Sequence, residues 1–386
     1  MKMYHPGMNI LAIETSCDET ACAIVRDGRE VLANVIASQA DIHAETGGVV
    51  PEVAAREHIL KILPVIEEAF EKAGKKFTWE DVDAIAVTKG PGLISSLIIG
   101  TETASVISYL KDKPLIPVHH VMGHIYANFL SSASEVSIKS TNLQTDPQFP
   151  LIVLTVSGGH NDIVLMKDHG DLTILGETRD DAAGEAFDKV SRVLGLGYPG
   201  GPKIAKAAEG GNAEAFKLPR SFLESGSLDF SFSGLKTAVI TKVKEYLREQ
   251  GVDISVGNVQ ELANKLPQKF KNDLAASFQE AVVDVLSEKL LQALITYRED
   301  GIDIKELHLA GGVSANLRLR ETVIHKLQKL GNSIGGPVKF RYPTNISYCT
   351  DNAAMIGSAA YYLYKANPKS FKKATNLTPT TSFDLF

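Results

Sequence analysis

Two histidines one helical turn apart, His120 and His124, are the side chains of this sequence best placed to do chemistry. They belong to residues 119–124 (HHVMGH), which follow a strand-like run and precede an apolar-periodic run. A helix that begins here puts both imidazoles on one face, at the i, i+4 spacing at which two histidines can share a metal ion. The best distant candidate for a third ligand is Asp351, in a polar turn before a C-terminal helix.

The same spacing has a commoner explanation. Short motifs often match by chance, so on spacing alone two surface histidines at the start of a helix are the more frequent outcome. If the three side chains do form a site, two imidazoles and one carboxylate suit iron or zinc, and the sequence does not choose between them.

Composition excludes several classes of protein. The chain has 386 residues and a formal net charge of -6, so it lacks the overall field of an autonomous nucleic-acid binder. No apolar run reaches membrane-spanning length, and residues 1–9 lack a signal-peptide pattern. The odd cysteine count (Cys17, Cys22 and Cys349) argues against a disulfide framework and indicates a reducing compartment. We therefore expect a cytoplasmic protein that is not bound to membranes.

Two strand–loop–strand units predict an internal duplication. Residues 9–16 form a strand that enters a loop of small polar residues and returns; residues 151–156 repeat this pattern through the Gly-rich loop at residues 157–161. Such loops can hold phosphate through backbone amides, although an ordinary hairpin is the commoner outcome. In a duplicated protein the two loops could face each other across a cleft.

Acidic and Gly-rich segments further along the chain suggest nucleotide contacts. Asp180 and Asp181 open a helix and are expected to cap it. Asp188 lies further along that helix, before residues 195–202 (GLGYPGGP), which are too glycine-rich for a packed helix, so Asp188 is a candidate ribose ligand. Residues 311–316 (GGVSAN), between a strand and a helix, are a candidate base or ribose contact.

Two segments raise the question of partners. A helix predicted over residues 51–70 carries a wide apolar stripe that includes Ile62 and Ile66. The stripe is either core or the contact surface for another chain. The tail from Lys365 is basic and then polar, and we expect it to be loosely held.

Nine short motifs occur in an order that is specific although each is weak alone. The motifs are residues 13–20 (IETSCDET), 90–92 (GPG), 119–124 (HHVMGH), 156–160 (VSGGH), 184–189 (GEAFDK), 198–201 (YPGG), 230–236 (FSFSGLK), 310–316 (AGGVSAN) and 349–352 (CTDN). With these motifs in this order, the chain resembles the universal tRNA threonylcarbamoyladenosine synthase family over residues 9–365. Thr155 stands where the archaeal and eukaryotic branch has a tyrosine, so the resemblance is to the bacterial branch. Insertions at residues 131–149 and 335–338 depart from the usual lengths.

The resemblance implies an α/β fold of the actin-like ATPase type, with duplicated mixed sheets in two lobes. The expected boundaries are residues 9–130 with a C-terminal helix at about 352–366, a linker at 131–149, and a second lobe at 150–351. It also implies one metal per chain, iron in this family, held by His120, His124 and Asp351. The residues that match the family's adenylate-binding positions are Thr155, Val156, Ser157, Gly158, Gly159, Asp188, Gly201 and Asn316.

The activity that the resemblance implies is transfer of a threonylcarbamoyl group from threonylcarbamoyl-AMP to the N6 amine of adenosine 37 in tRNAs that read codons beginning with A. That amine is a poor nucleophile, so a base is expected, with Glu14, Asp18 and Glu19 as unassigned candidates. A separate synthase is expected to supply the donor. The implied protein partners are a shorter paralogue without the metal site and a small P-loop ATPase.

Three other classes compete with the transferase. A glycoprotein endopeptidase would use the paired histidines, but residues 121–123 (VMG) lack the glutamate that activates water in zincin helices. An actin-fold small-molecule kinase would use the phosphate loops, but it has no need for two central histidines. A non-catalytic binding protein would not need intact metal and nucleotide motifs.

Overall fold

The computed structural model describes residues 7–132, 146–221, 226–253, 259–331, 336–343, 345–374 and 376–382. The strands are β1 Asn9–Glu14, β2 Glu19–Arg26, β3 Glu30–Ser38, β4 Ala84–Gly90, β5 Leu115–His119, β6 Ser131–Ser132, β7 Leu151–Val156, β8 Asn161–Asp168, β9 Asp171–Gly176, β10 Glu306–Ala310 and β11 Lys339–Arg341. The helices are α1 Ala40–Thr46, α2 Pro51–Ala73, α3 Ile94–Lys111, α4 His120–Tyr126, α5 Ala183–Leu194, α6 Gly200–Ala208, α7 Ser233–Glu249, α8 Val259–Asn264, α9 Gln268–Glu299, α10 Leu317–Leu330 and α11 Ala353–Ala366. Most of the insertion at 131–149 and the start of that at 335–338 lie outside the described residues.

Two sheets repeat one strand order. The first sheet runs β5-β4-β1-β2-β3-β6 and the second runs β11-β10-β7-β8-β9. In each sheet an antiparallel meander is followed by two parallel strands on the other side of its first strand. The central strands β1 and β7 are buried along their whole length, as expected for strands covered on both faces. The predicted duplication is confirmed, and the repeated order is that of the actin-like ATPase fold.

The C-terminal helix α11 returns to the first sheet. A side chain at Gly357 would collide with Val25 of β2, so the helix packs directly on the sheet. Met355 and Ile356 of α11 share one apolar cluster with Val153 of β7, and α4 contributes to the same cluster. Helices α4 and α11 are therefore packed between the two sheets. The lobe boundaries given above stay a prediction.

The acidic start of α5 does not cap its own helix. The N-cap residue is Ala182, without a side-chain hydrogen bond. Asp180 instead accepts a hydrogen bond from the backbone N–H of Phe232 at the start of α7 (3.0 Å), and Asp181 pairs with Lys236 (2.6 Å). The capping prediction is wrong because these carboxylates find closer donors on a neighbouring helix than on α5.

The glycine content predicted that residues 195–202 would not form a packed helix, but the end of this stretch is helical. Gly195 has a φ of 64° and ends α5, but α6 already begins at Gly200. A side chain at Gly200 would collide with the backbone of Phe187 and Asp188. Glycine is used there for the close approach of two helices, so its presence does not break the second helix.

The apolar stripe of α2 divides into a buried and an exposed part. Ile62 and Ile66 are each 5% exposed and belong to the core against the first sheet. The exposed apolar side chains are Ile59, Leu60 and Leu63, at 59%, 64% and 62%. Ile62 and Ile66 are therefore core residues, which confirms the first of the two alternatives for them and excludes them from a contact surface.

The tail after α11 is held along the first sheet. The carbonyl of Lys372 accepts a hydrogen bond from the N–H of Leu115 (3.0 Å), and the N–H of Thr380 donates to the carbonyl of Lys89 (3.0 Å). Ala374 and Leu377 pack against the core of that sheet. The prediction of a loosely held tail is wrong for the residues described.

Among the described residues, the structure contains no helix that is long and apolar enough to cross a membrane. Cys17, Cys22 and Cys349 are all free thiols, in agreement with the odd cysteine count. Burial raises the pKa of the Cys22 thiol, so this side chain behaves as a small apolar core residue.

Candidate functional site

Helix α4 begins where the sequence predicts. His119 is its N-cap, and its Nδ1 accepts a hydrogen bond from the N–H of Val121 (3.1 Å). His120 and His124 then follow at one-turn spacing on the face toward α11. Both are buried, at 7% and 0% exposure, so the alternative of two surface histidines is wrong.

Close packing of α4 on α11 brings Asp351, the third side chain, to the two histidines. A side chain at Gly123 would lie 2.7 Å from Ile356 Cδ1 and 3.1 Å from Met355 Cγ. Asp351 stands just before α11, whose N-cap Asn352 accepts from the N–H of Met355 (3.1 Å). Glycine at position 123 thus permits the contact that delivers Asp351 to the histidines.

The three side chains form one cluster. Asp351 Oδ1 lies 3.2 Å from His124 Nε2 and 3.6 Å from His120 Nε2. One ligand atom from each residue falls within 4.8 Å of the others, a spacing that a single cation can bridge. The imidazole rings meet edge to face, with centroids 4.7 Å apart.

The other nitrogen of His120 is held by the first loop. Its Nδ1 lies 3.1 Å from Ser16 Oγ and 3.3 Å from Glu14 Oε2. Glu14 is fully buried and also accepts hydrogen bonds of 2.5 Å from Thr88 Oγ1 and from the N–H of Ser16. This arrangement fixes the ring and aims Nε2 at Asp351, the pattern by which carboxylates orient metal-binding histidines.

The acidic and imidazole groups of the cluster shift one another's pKa values so that the charged form of each is favoured. Burial acts to lower the pKa of His120, but the carboxylates of Asp351 and Glu14 outweigh it and raise that pKa to about 9. Burial acts to raise the pKa of Asp351, but His120 and His124 hold it well below its usual range. Glu14 behaves likewise: its pKa is lowered because His120 outweighs burial. The centre therefore carries two carboxylates that are ionised at neutral pH.

The donor set fits a transition metal. His124 is completely buried, and within the described part of the chain neither ring nitrogen has a hydrogen bond of good geometry: Nδ1 has none, and Nε2 only faces Asp351 Oδ1 at 3.2 Å. A buried polar atom without a well-formed hydrogen bond is costly. A cation on His124 Nε2, His120 Nε2 and Asp351 would remove that cost at Nε2, and this mixed N/O set suits zinc or iron.

The second loop, which is the Gly-rich loop at residues 157–161, lies at the end of β7. Ser157 is 7% exposed, whereas Gly158 and Gly159 are exposed. A side chain on Gly184 of α5 would collide with the Ser157 carbonyl, and one on Gly311 would collide with that of Val156. The start of α5 and the turn after β10 thus pack against the base of the loop, while Gly158 and Gly159 stay exposed.

The remaining residues predicted to bind the substrate differ in how free their side chains are to contact a ligand. Val156 is packed in the core, so only its backbone can face a ligand. Thr155 is buried, and its hydroxyl has no hydrogen-bond partner among the residues that the structure describes. A side chain on Gly201 would meet open space. The side chain of Asn316 caps α10 through the N–H of Leu319 (3.1 Å) and also bonds Gln279 (2.9 Å), so it is engaged within the protein.

Asp188 lies on α5 with its carboxylate toward the start of α6. It accepts a hydrogen bond of 2.6 Å from the N–H of Gly200. Burial raises its pKa to about 6 although that hydrogen bond opposes the change, and Asp18 adds to the rise. Since Asp18 belongs to the first loop, that loop lies near α5, the helix that packs against the second loop through Gly184. The expected facing of the two loops stays a prediction.

The first loop brings the remaining candidate bases close to the cluster. Asp18 is 7% exposed. Burial, with Asp18 and Asp351 adding to it, raises the pKa of Glu19 well above its usual value. A carboxyl group in that state serves as an acid more readily than as a base.

His160 is the residue that sequence reasoning did not select. It ends the second loop, and burial together with His120 and His124 lowers its pKa to about 4. It therefore faces the metal-competent cluster as a neutral imidazole. The sequence shows His160 in the motif VSGGH, but the orientation of its side chain depends on how the two sheets pack together.

The fold and the site define the class: an actin-fold protein with a metal-competent centre beside a phosphate-type loop. The model of the family "tRNA N6-adenosine threonylcarbamoyltransferase" matches residues 30–358. The chain belongs to this family, and it is an enzyme of the transferase class.

Relatives with this name are similar over nearly the whole chain. The protein from Thermomicrobium roseum is 50% identical over 362 residues, covering 92% of each chain. The Clostridium perfringens protein is 49% identical, covering 93% of this chain and 94% of its own. The Symbiobacterium thermophilum protein is 48% identical, covering 95% and 94%.

The raised pKa of His120 predicts a pH-dependent metal affinity. A metal binds the unprotonated imidazole, so the proton on His120 must leave first. Between about pH 6 and pH 8, below a pKa of about 9, we expect the apparent affinity for zinc to rise about tenfold per pH unit. Calorimetry in two buffers of different ionisation enthalpy should also detect the released proton. An affinity that stays constant over this range would contradict the assignment.

Proposed function

We propose that this enzyme transfers the threonylcarbamoyl group of threonylcarbamoyl-AMP to the N6 amine of adenosine 37 in tRNAs that read codons beginning with A. Membership of the family supports the reaction class. The single observation that carries the finer proposal is the cluster of His120, His124 and Asp351 beside an open Gly-rich loop. A reaction between an adenylate and a tRNA base needs both parts close together.

The residues of the second half are suited to the adenylate. Backbone amides of Gly158 and Gly159 would bind the phosphate, as turn amides do for other anions. The N–H of Ser157 already donates to the carbonyl of His160 (2.8 Å), so Ser157 would hold the turn in shape. Thr155 and Gly201 would line the same space, and Asp188 would accept a ribose hydroxyl. Asn316, whose side chain is engaged in a helix cap, would act by fixing the turn after β10.

Two residues of α4 and Asp351, just before α11, are suited to the metal. His120, His124 and Asp351 would hold one iron, with zinc as the alternative, and Glu14 with Ser16 would keep His120 in the binding orientation. A bound cation supplies Lewis acidity for a carbonyl and charge neutralisation for a phosphate. Asp18 is the remaining candidate base, because Glu14 is engaged by His120 and Glu19 has a raised pKa.

Partner proteins complete the proposal. A separate synthase would make the donor. A shorter paralogue without the metal site would form a heterodimer through the exposed side chains Ile59, Leu60 and Leu63 of α2, and a small P-loop ATPase would join that complex. An exposed apolar strip on one helix face is the kind of surface that helix pairing buries.

Reconstitution tests the reaction. The enzyme, its partners, threonylcarbamoyl-AMP and unmodified tRNA should yield threonylcarbamoyladenosine, detected by nucleoside analysis. Asp351→Asn should lower the rate by at least about 100-fold, because loss of a direct ligand costs no less than loss of an outer partner. Absence of product from wild type would overturn the reaction, whereas full activity in Asp351→Asn would overturn the role of the metal.

A side chain at Gly158 tests the adenylate site. Its Cβ would project into open space, so Gly158→Val should keep the wild-type melting temperature. It should also lower the affinity for the non-reactive analogue AMP at least about tenfold, ~1.4 kcal/mol, by blocking approach to the loop amides. Gly234→Val is the matched control, since that glycine is equally unobstructed at the start of α7. Equal AMP affinity in both variants would remove the loop from the site.

The exposed strip of α2 has its own test. Leu60→Asp with Leu63→Asp should leave the chain folded and reduce association with the paralogue, measured by sedimentation. The control is Leu317→Asp with Ile346→Asp, two positions of similar exposure, 68% and 69%, outside α2. Unchanged association in the α2 variant, or an equal loss in the control, would show that the heterodimer uses another surface.

A further inference from the structure

The tail after α11 follows the free edge of the first sheet. β5 is the outermost strand on that side. The carbonyl of Lys372 meets the N–H of Leu115 at the start of β5, and Thr380 meets Lys89, whose neighbour Gly90 pairs with the last residue of β5. The tail therefore contacts the first sheet near both ends of β5, which are about 13 Å apart.

The far end of the tail lies against the turn at Gly90, which connects to the candidate site through the first loop. A side chain on Gly90 would collide with the carbonyl of Thr380, so the two backbones touch. The turn that begins at Gly90 is tied to the first loop, because the N–H of Leu93 donates to the carbonyl of Ser16 (2.8 Å). Ser16 Oγ lies 3.1 Å from His120 Nδ1. A ligand lying on the tail would thus be led to the cluster.

The tail differs in charge from the rest of the chain. The whole sequence has 40 basic and 46 acidic residues, but residues 365–382 contain four lysines and no aspartate or glutamate. Lys373 pairs with Asp112 (2.7 Å). Lys369 and Lys372 are exposed, and within the described ranges neither has a carboxylate at ion-pair distance. Two cationic side chains are therefore available to an external anion.

The neutral side chains of the tail suit the same kind of ligand. Asn376, Thr378 and Ser382 are exposed, whereas Ala374 and Leu377 pack inward. Exposed amide and hydroxyl groups beside lysines are typical contacts to the sugar–phosphate backbone. A membrane surface or an apolar protein partner would instead require the apolar side chains to point outward.

We propose that residues 365–374 and 376–382 form a track that binds the phosphate backbone of tRNA and leads the target adenosine toward the cluster. This inference rests on the proposed function and adds to it the surface that holds the RNA. It also accounts for binding of a polyanion by a chain whose net charge is -6.

The test is Lys369→Glu with Lys372→Glu, measured by fluorescence anisotropy with unmodified tRNA over a series of salt concentrations. We expect roughly tenfold weaker binding near 0.1 M salt and a salt dependence reduced by about two phosphate contacts. In the reconstituted reaction the KM for tRNA should rise while kcat at saturating tRNA and metal content stay unchanged. A matched control is Lys167→Glu with Lys244→Glu, which changes the net charge equally at exposed sites outside the tail.

Each outcome decides the question. Wild-type affinity in the tail variant, with product formed by wild type, would overturn the track and leave the proposed function standing. An equal loss of affinity in the control variant would also overturn it, because net charge alone would then explain the effect. Lys369→Gln with Lys372→Gln, which removes charge without adding acids, should show an intermediate loss; no loss would overturn the track. Absence of product from wild type would overturn the proposed function itself.

Discussion

The contact of Asp351 with two buried imidazoles is the constraint on which the rest of the structure depends. The carboxylate comes from the turn before α11, and the imidazoles come from α4. The two helices must lie close enough that only glycine fits at position 123. That distance in turn requires α11, at the end of the chain, to return and pack against the first sheet. The C-terminal helix is therefore part of the candidate site.

The duplicated sheet explains why such distant residues meet. The first loop, α4 and the second Gly-rich loop all follow the carboxyl ends of strands, where ligands of open α/β sheets bind. Each half of the chain supplies different chemical groups at the carboxyl ends of its strands. The first half supplies the two imidazoles and Glu14, and the second supplies Asp351 and a Gly-rich loop with open space around Gly158 and Gly159. The two halves approach each other where Asp18 of the first loop lies near Asp188 of α5.

Much of the fold could be predicted because its signals are local. The apolar strands, the paired loops and the start of α4 at His120 follow from periodicity and from polar punctuation. The burial of His120 and His124 could not be predicted, because it depends on α11, which is more than 200 residues away. The sequence likewise could not separate the exposed from the buried side of α2, since both sides are apolar and only the sheet decides which one is covered. Asp180 and Asp181 were misjudged for the same reason: their closest donors belong to another helix.

Direct metal analysis tests the central claim, that His120, His124 and Asp351 hold one metal ion. Protein purified without chelators should contain about one iron or zinc per chain by elemental analysis. His124→Ala should contain almost none, while His325→Ala, a histidine on α10 outside the cluster, should match wild type. Unchanged metal content in His124→Ala would contradict the account.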